Sequence, residues 1–422
     1  MRTSALAALL FGVSACSSSD SASSEGVVEI FSWWTSPGEK QALSAMTDVF
    51  LEHSPGVTVI NAAEIDAPTA RERLFQRLSF GDPPDTYQAN IGADLYTWVK
   101  NGGADDENSK LEPLTQLSRD QGWASAVPPA VLDKVSYDGT VYAVPINVHR
   151  LNTLFYNRKI FADNGLTPPT TLAELYTLAD TLSAKNITPL AVGSSGPWTL
   201  SELFFENLLP AMAGDAFYTD YFDGKKDPRD PEIDVVLREA SKLWAYTNVN
   251  AGDLEWDAAV EMMAQGQAAM TQMGDWAKGY LEVLGYSPDS DFGEVPFPDT
   301  SDIFVFTGDS FPLPKGAPNR RGALDLLSVF GSVEGQAAFN PIKGSISARV
   351  DVDPSRYDSL SQQAFLDFQS KRLVSALSGT VPSSFSNPVD TALGHFVADP
   401  YHDPAEVEAA LALYYDILQE PN

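Results

Sequence analysis

The groups in this 422-residue chain that could do covalent or metal chemistry are one cysteine, four histidines and 57 Asp plus Glu. Their spacing argues against an enzyme. His395 and His402 flank Asp399, with Asp403 beyond, but an interval that crosses Asp399-Pro400 does not set two imidazoles on one helix face, so no metal is expected. Gly308-Asp309-Ser310-Phe311-Pro312 has the outline of a nucleophile elbow, with proline where the second glycine is needed. The chain has no phosphate-cradling Gly-x-x-x-x-Gly-Lys-Ser/Thr, no dinucleotide fingerprint after its first strand and no His-Glu-x-x-His, and no cofactor is expected. The catalytic alternative left open is a secreted carbohydrate-active enzyme using two of the many carboxylates.

Adjacent tryptophans offer a different chemistry. Trp33-Trp34 follow the first predicted strand, where the chain turns toward a helix N-terminus, and in an α/β sheet that carboxyl end is where ligands bind. Flat aromatic faces suit the C–H face of a sugar ring, whose hydroxyl rim needs donors and acceptors close by. Two core tryptophans would fit the same position equally well.

The elements that must position this loop alternate between strand and helix. The pattern predicts a strand over 27–31, then a helix opened by the capping box Ser36-Pro37-Gly38-Glu39, with Leu43, Met46 and Phe50 on one face. A strand over 57–60, a helix over 70–78 and a strand near 86–89 follow, which implies crossover connections and a largely parallel sheet. Farther on, 141–145 is extended, Thr171 and Glu174 cap a helix with Leu172, Leu175, Ala179 and Leu182 on its apolar face, and 223–234 reads as a charged surface loop. Residues 256–263 are helical, 304–314 extended and 320–330 helical, and Asp403-Pro404-Ala405-Glu406 opens a final helix. The expected fold is α/β, in two lobes joined by extended crossings near Val144 and Phe306.

Only 27 Lys plus Arg stand against the acids, a formal charge of −30. Nucleic acid and anionic lipid headgroups are excluded as partners, because both reward a basic surface that this chain lacks. Residues 1–15 read as a signal peptide: the uncharged run from Thr3 to Val13 is too short to span a bilayer. The small residues before Cys16 resemble a bacterial lipobox, in which that cysteine is lipidated, and the serine-rich segment 16–25 reads as a flexible tether. The protein is expected to be exported, to the periplasm or cell surface, and held at a membrane by its lipidated end.

The lipobox, Phe31-Ser32-Trp33-Trp34-Thr35, Pro83-Pro84-Asp85-Thr86-Tyr87-Gln88, Val144-Pro145-Ile146-Asn147-Val148-His149-Arg150, Met273-Gly274-Asp275-Trp276-Ala277 and Asn340-Pro341-Ile342-Lys343-Gly344-Ser345 occur in that order. Together they resemble the extracellular solute-binding proteins of ABC sugar importers, family 1 type, and in particular their glucose-binding branch. The resemblance implies a two-lobed periplasmic-binding-protein clamshell, type II-like, with an N-terminal α/β lobe of 26–143 plus 308–348 and a mostly helical C-terminal lobe of 144–307 plus 349–422. It implies a monomeric receptor that captures a monosaccharide, glucose by default, or a short oligosaccharide, and presents it to the permease subunits. A non-sugar solute such as a polyamine is the alternative ligand. In the implied site Trp34 stacks on the sugar ring with Trp33 beside it, Trp276 forms another wall, and Glu39, Gln88, Asp309 and Lys343 hydrogen-bond hydroxyls. Glu39 also completes the capping box, and His149-Arg150 is expected to support the hinge. Asn90 and Ser386 stand where the glucose-binding relatives tend to carry basic or imidazole groups, a departure that bears on which sugar is accepted.

Overall fold

In the computed structural model, which describes residues 26–64, 67–100, 109–288 and 290–419, the first strand, Gly26–Ser32, lies between two parallel neighbours, Val57–Ala63 and Thr86–Tyr87. The signal segment, Cys16 and the tether lie outside the described residues. The helix Pro37–His53 begins where its capping box requires: the Ser36 N–H and hydroxyl both reach Glu39 Oε2, at 3.3 and 2.9 Å. Its Leu43, Met46 and Phe50 are buried against the sheet, each contributing about 1.5–3 kcal/mol of apolar transfer. The helix Ala67–Phe80 returns the chain to the third strand.

Two local expectations are corrected. The predicted strand near 86–89 is split at Gln88. Thr86–Tyr87 stays in the parallel sheet, while Ala89–Asn90 pairs antiparallel with Asp309–Pro312, which also pairs with Ala143–Pro145. A chain leaving one sheet for another must break its ladder, and the break lands on a residue of the site. The surface loop predicted over 223–234 ends early: the Asp230 side chain accepts from the Glu232 N–H and starts the helix Pro231–Trp244, with proline at the first turn.

A second sheet, ordered Thr188–Ala191, Ala268–Gln272, Thr153–Asn157 and Phe292–Pro296, carries the other lobe and is wrapped by helices. Between the lobes run Asn147–Arg150 and its antiparallel partner Ile303–Thr307, which is itself parallel to Arg372–Ser375. The period-two alternation of a strand lets Ile303–Thr307 serve both lobes. Phe304 and Phe306 join the core that contains Val28, Phe50 and Phe339, whereas Ile303 and Val305 join the core of Leu154, Phe205 and Leu237. Ala364, Phe365 and Phe368, from the helix Ser359–Ser370, pack into the first of these cores, although the resemblance assigns all of 349–422 to the second lobe.

Candidate functional site

A cavity of about 520 Å³ lies between the two cores. All eight side chains singled out in the sequence (Trp33, Trp34, Glu39, Gln88, Asn90, Trp276, Asp309 and Lys343) line it, and so does Ser386. They come from strand ends, the break at Gln88, and the ends of helices, so the fold gathers residues as far apart as Trp33 and Lys343.

The two adjacent tryptophans do different jobs. Trp34 is 1% exposed, tilted against Phe339 at 5.3 Å and edge-on to Phe311 at 5.7 Å between ring centroids. Most of its surface is packed into the core, yet it lines the cavity, where the resemblance assigns it the stacking face. Trp33 is only half-buried, with the Arg71 guanidinium 5.1 Å from its ring centroid, and Arg71 is held by Asp94 at 3.0 Å. Consecutive residues in extended chain point to opposite sides, which is why one ring of the Trp-Trp pair is buried and the other half-buried.

Beneath the walls runs a continuous polar chain. The Trp33 N–H donates to Gln88 Oε1 at 3.3 Å, and Gln88 Nε2 donates to Asp309 Oδ1 at 2.8 Å. Asp309 Oδ2 accepts from Asn147 Nδ2 at 2.8 Å and lies 3.3 Å from His149 Nε2. The other ring nitrogen of His149 bonds the Asp275 carboxylate, which also accepts the Arg150 N–H at 2.9 Å. Asp275 directly precedes the helix Trp276–Val283, so the chain runs from one wall to the other. His149, expected to support the hinge, lines the cavity and stands edge-on to Trp276 at 5.2 Å.

The charges in this chain fix one another. Burial works against a proton on His149, but Asp275 and Asp309 outweigh it and raise its pKa. Burial likewise pushes the Asp309 carboxyl up, yet the hydrogen bond from His149 and the charge of Lys343 bring it down to about 2. Lys343 Nζ is 3.4 Å from Glu39 Oε1 and sits 5.6 and 5.8 Å from the ring centroids of Trp34 and Trp276. Glu39 therefore caps its helix with one oxygen and holds Lys343 with the other.

Sequence reasoning missed the far wall, formed by Trp198, Ser201, Glu202, Glu206, Trp256 and Asp390. The segment Glu202–Leu208 is π-helical and fully buried, a rare geometry that often marks functional sites and leaves no period to read in the sequence. The Leu377 N–H donates to Glu206 at 2.6 Å, Gln272 Nε2 donates to Glu202 at 2.9 Å, and the Ser201 hydroxyl bonds Asp390. Burial pushes Glu206 up to about 7 and Asp390 up to about 6. The folded chain thus holds a proton on Glu206 that the unfolded chain has lost between pH 4.5 and 7, and the stability tied to that proton disappears as pH rises through 7. Glu206→Gln is expected to stabilise the protein by roughly 3 kcal/mol at pH 8 and by little at pH 5, measured by urea unfolding at both. Equal shifts at the two pH values would contradict this.

Elsewhere, His395 Nδ1 contacts Glu406 at 2.9 Å and His402 Nδ1 contacts the Phe396 carbonyl at 2.8 Å, and among the described residues no three His, Cys, Asp or Glu are grouped to hold a metal.

Two α/β lobes around a cavity walled by tryptophans and rimmed by paired charges define a receptor for a small polar ligand. The chain belongs to the bacterial extracellular solute-binding protein family, whose model matches residues 45–362. It is 30% identical to an uncharacterized ABC transporter extracellular-binding protein of Pyrococcus horikoshii, over 93% of this chain and 88% of that one. It is also 30% identical to a probable sugar-binding periplasmic protein of Rhizobium meliloti, over 92% of this chain and 90% of the relative. A solved chitin oligosaccharide binding protein shares its fold, with a TM-score of 0.81 over 93% of this chain and 98% of that one at 19% identity. The chain is a solute receptor of the two-lobed clamshell type and not an enzyme.

Proposed function

We propose that this protein is the sugar-binding receptor of an ABC importer, tethered to a membrane through a lipid on Cys16, which closes its two lobes on a carbohydrate and delivers it to the permease. The observation that carries the reading is Trp33 and Trp276 facing one cavity from different lobes, with Glu39–Lys343 and Gln88–Asp309 between them. Ring faces take the C–H side of a pyranose. Asp309 Oδ1 and the Gln88 carbonyl each keep a spare lone pair, Lys343 keeps further N–H donors, and Asn90 offers both kinds of group to hydroxyls. The sugar touches both lobes, so it binds the closed form better and shifts the population toward it. We place the lobe boundaries at the two crossing strands, Asn147–Arg150 and Ile303–Thr307. Glucose is the default ligand, with Asn90 and Ser386 the positions where its hydroxyl pattern would be altered. The relative of Rhizobium meliloti, named a probable sugar-binding protein, supports the carbohydrate class.

Intrinsic fluorescence titration with a panel of sugars tests this. At least one sugar is expected to give a saturable change, and Trp276→Ala to weaken it about 10-fold or more, for the loss of ~1–2 kcal/mol of ring contact. A response to a cationic solute with none to any sugar would overturn the assignment.

A further inference from the structure

Few buried side-chain atoms of the described residues lack a partner, and one that does sits in the hinge. Arg150 ends the crossing strand Asn147–Arg150 and is 3% exposed. Its Nη1 donates to Asp367 Oδ2 at 2.7 Å and its Nε to Asn152 Oδ1 at 3.2 Å, and the guanidinium carbon lies 5.1 Å from the centroid of the Phe304 ring. Its Nη2 is buried and meets no partner among the described residues. An unmet donor on a buried cation is costly, so a fold that keeps one calls for a physical reason.

The second lobe supplies that reason. Glu294 lies on its edge strand, Phe292–Pro296, and among the described residues its carboxylate makes no hydrogen bond or ion pair. Loss of solvation and the charge of Asp275 push it up to about 7, while Arg150 and Lys278 pull the other way. Arg150 therefore holds one carboxylate and feels a second that it does not touch.

The two carboxylates belong to different bodies. Asp367 is on the helix Ser359–Ser370, whose Ala364, Phe365 and Phe368 are in the first lobe's core, and its other oxygen accepts from Gln363 Nε2 at 2.8 Å. Glu294 is in register with Phe155 in the second lobe's sheet. The same helix also reaches that lobe: Leu360 packs on the cluster of Phe155, Tyr280 and Phe292, and Asp358, at the helix start, holds the buried Lys278. A helix seated in one lobe and touching the other must shift against Glu294 when the lobes rotate. The planar fork of a guanidinium can serve a carboxylate on either edge, so Arg150 can change partner with a small swing.

We infer that Arg150 is a two-position hinge latch, held by Asp367 in the arrangement described here, with both lobes around one cavity, and taken over by Glu294 through Nη2 when the lobes open. Arg150, Asp367 and Glu294 are all outside the cavity lining. The latch thus sets affinity through the fraction of molecules whose lobes are together, and not through contact with ligand. It goes beyond the proposed function and holds whichever solute is bound.

Small-angle scattering and sugar titration of the full mature protein test the latch at the two acids that compete for one arginine. Glu294→Gln removes the open-state partner. The sugar-free variant is expected to be more compact than wild type, and to bind about 5-fold more tightly whichever of glucose, galactose, xylose and maltose gives the largest fluorescence response. Asp367→Asn removes the closed-state partner and should do the reverse, with a more extended sugar-free protein and about 5-fold weaker binding. A merely structural role would move both variants in the same direction. Glu294 is half-buried and unbonded, so Glu294→Gln keeps its fold and decides the matter alone where Asp367→Asn, which strips a buried charge of its partner, does not fold. Shifts of the same sign in the two variants, or a Glu294→Gln protein with wild-type dimensions or an affinity within 2-fold of wild type, overturn the latch and leave the carbohydrate reading standing. A protein that answers none of the four sugars counts against the carbohydrate reading, and the sugar-free scattering then decides the latch: compaction in Glu294→Gln upholds it, and wild-type dimensions or expansion overturn it.

Discussion

Asp309→Ala is expected to cost about 3–5 kcal/mol of stability, because it strips the partner from a buried charge, and to abolish sugar binding over the accessible range. The reasoning follows the polar chain. Asp309 is 5% exposed and accepts from Gln88, Asn147 and His149, and its own N–H donates to Asn147 Oδ1 at 2.6 Å. Without the carboxylate, His149 keeps only Asp275 to balance its charge and Gln88 loses the acceptor that orients it. Asp309→Asn separates the two roles. It retains a group that can accept from Gln88, so the fold should survive with a smaller loss, but it removes the charge that Lys343 and His149 face. Unfolding by urea and sugar titration of both variants check the prediction, which fails if Asp309→Ala unfolds at the wild-type midpoint.

Gly279→Ala is expected to weaken sugar affinity about 100-fold, the scale of a misplacement near 1 Å at a site, while the protein remains folded. Gly279 lies in the helix Trp276–Val283, and a Cβ there would stand 2.5 Å from the Ile342 carbonyl oxygen and the Lys343 carbonyl carbon. Those are backbone atoms at the end of the helix Val333–Lys343, so no rotamer can yield. Two more glycines meet at the same seam. A Cβ on Gly344, which has φ +88°, would lie 2.5 Å from the Asp275 carbonyl oxygen, and one on Gly38 would lie 3.2 Å from the Tyr280 nitrogen. Helices from the two lobes approach backbone to backbone here, beside Trp276 and Lys343. An added methyl therefore wedges the lobes apart and pulls those walls out of register. Gly252→Ala, where nothing lies within 4 Å, is the control and should bind like wild type. Titration checks the affinity, and small-angle scattering should show that sugar compacts the wild-type protein but not the variant. Wild-type affinity in Gly279→Ala would refute the seam.

Part of the site was legible in local signals. Ser36-Pro37-Gly38-Glu39 announced a helix start and Trp33-Trp34 an aromatic loop at a strand end, while Glu39, Gln88, Trp276, Asp309 and Lys343 were pointed out only by the family resemblance. The far wall was not legible. Trp256 begins an amphipathic helix whose Ala259, Val260 and Met263 are buried, so its pattern reads as core, and the π-helical turn that aims Glu202 and Glu206 has no propensity signature. Lys278 looks like any surface lysine, yet it is 1% exposed, held by Asp358 and 3.5 Å from Glu282.

The sequence by itself determined the alternation of strands and helices, their caps and the acidic surface, because these depend on neighbours a few residues away. Its ordered motifs also pointed, through the family they resemble, to eight side chains that line the cavity. Tertiary structure decided which tryptophan of the pair is buried, how Ile303–Thr307 divides its side chains between two cores, and which carboxylates are buried without a cation. Those outcomes depend on contacts across hundreds of residues, such as Gln88 with Asp309 and Lys343 with Glu39, whose energies exist only once both lobes are folded and the water between them has been displaced.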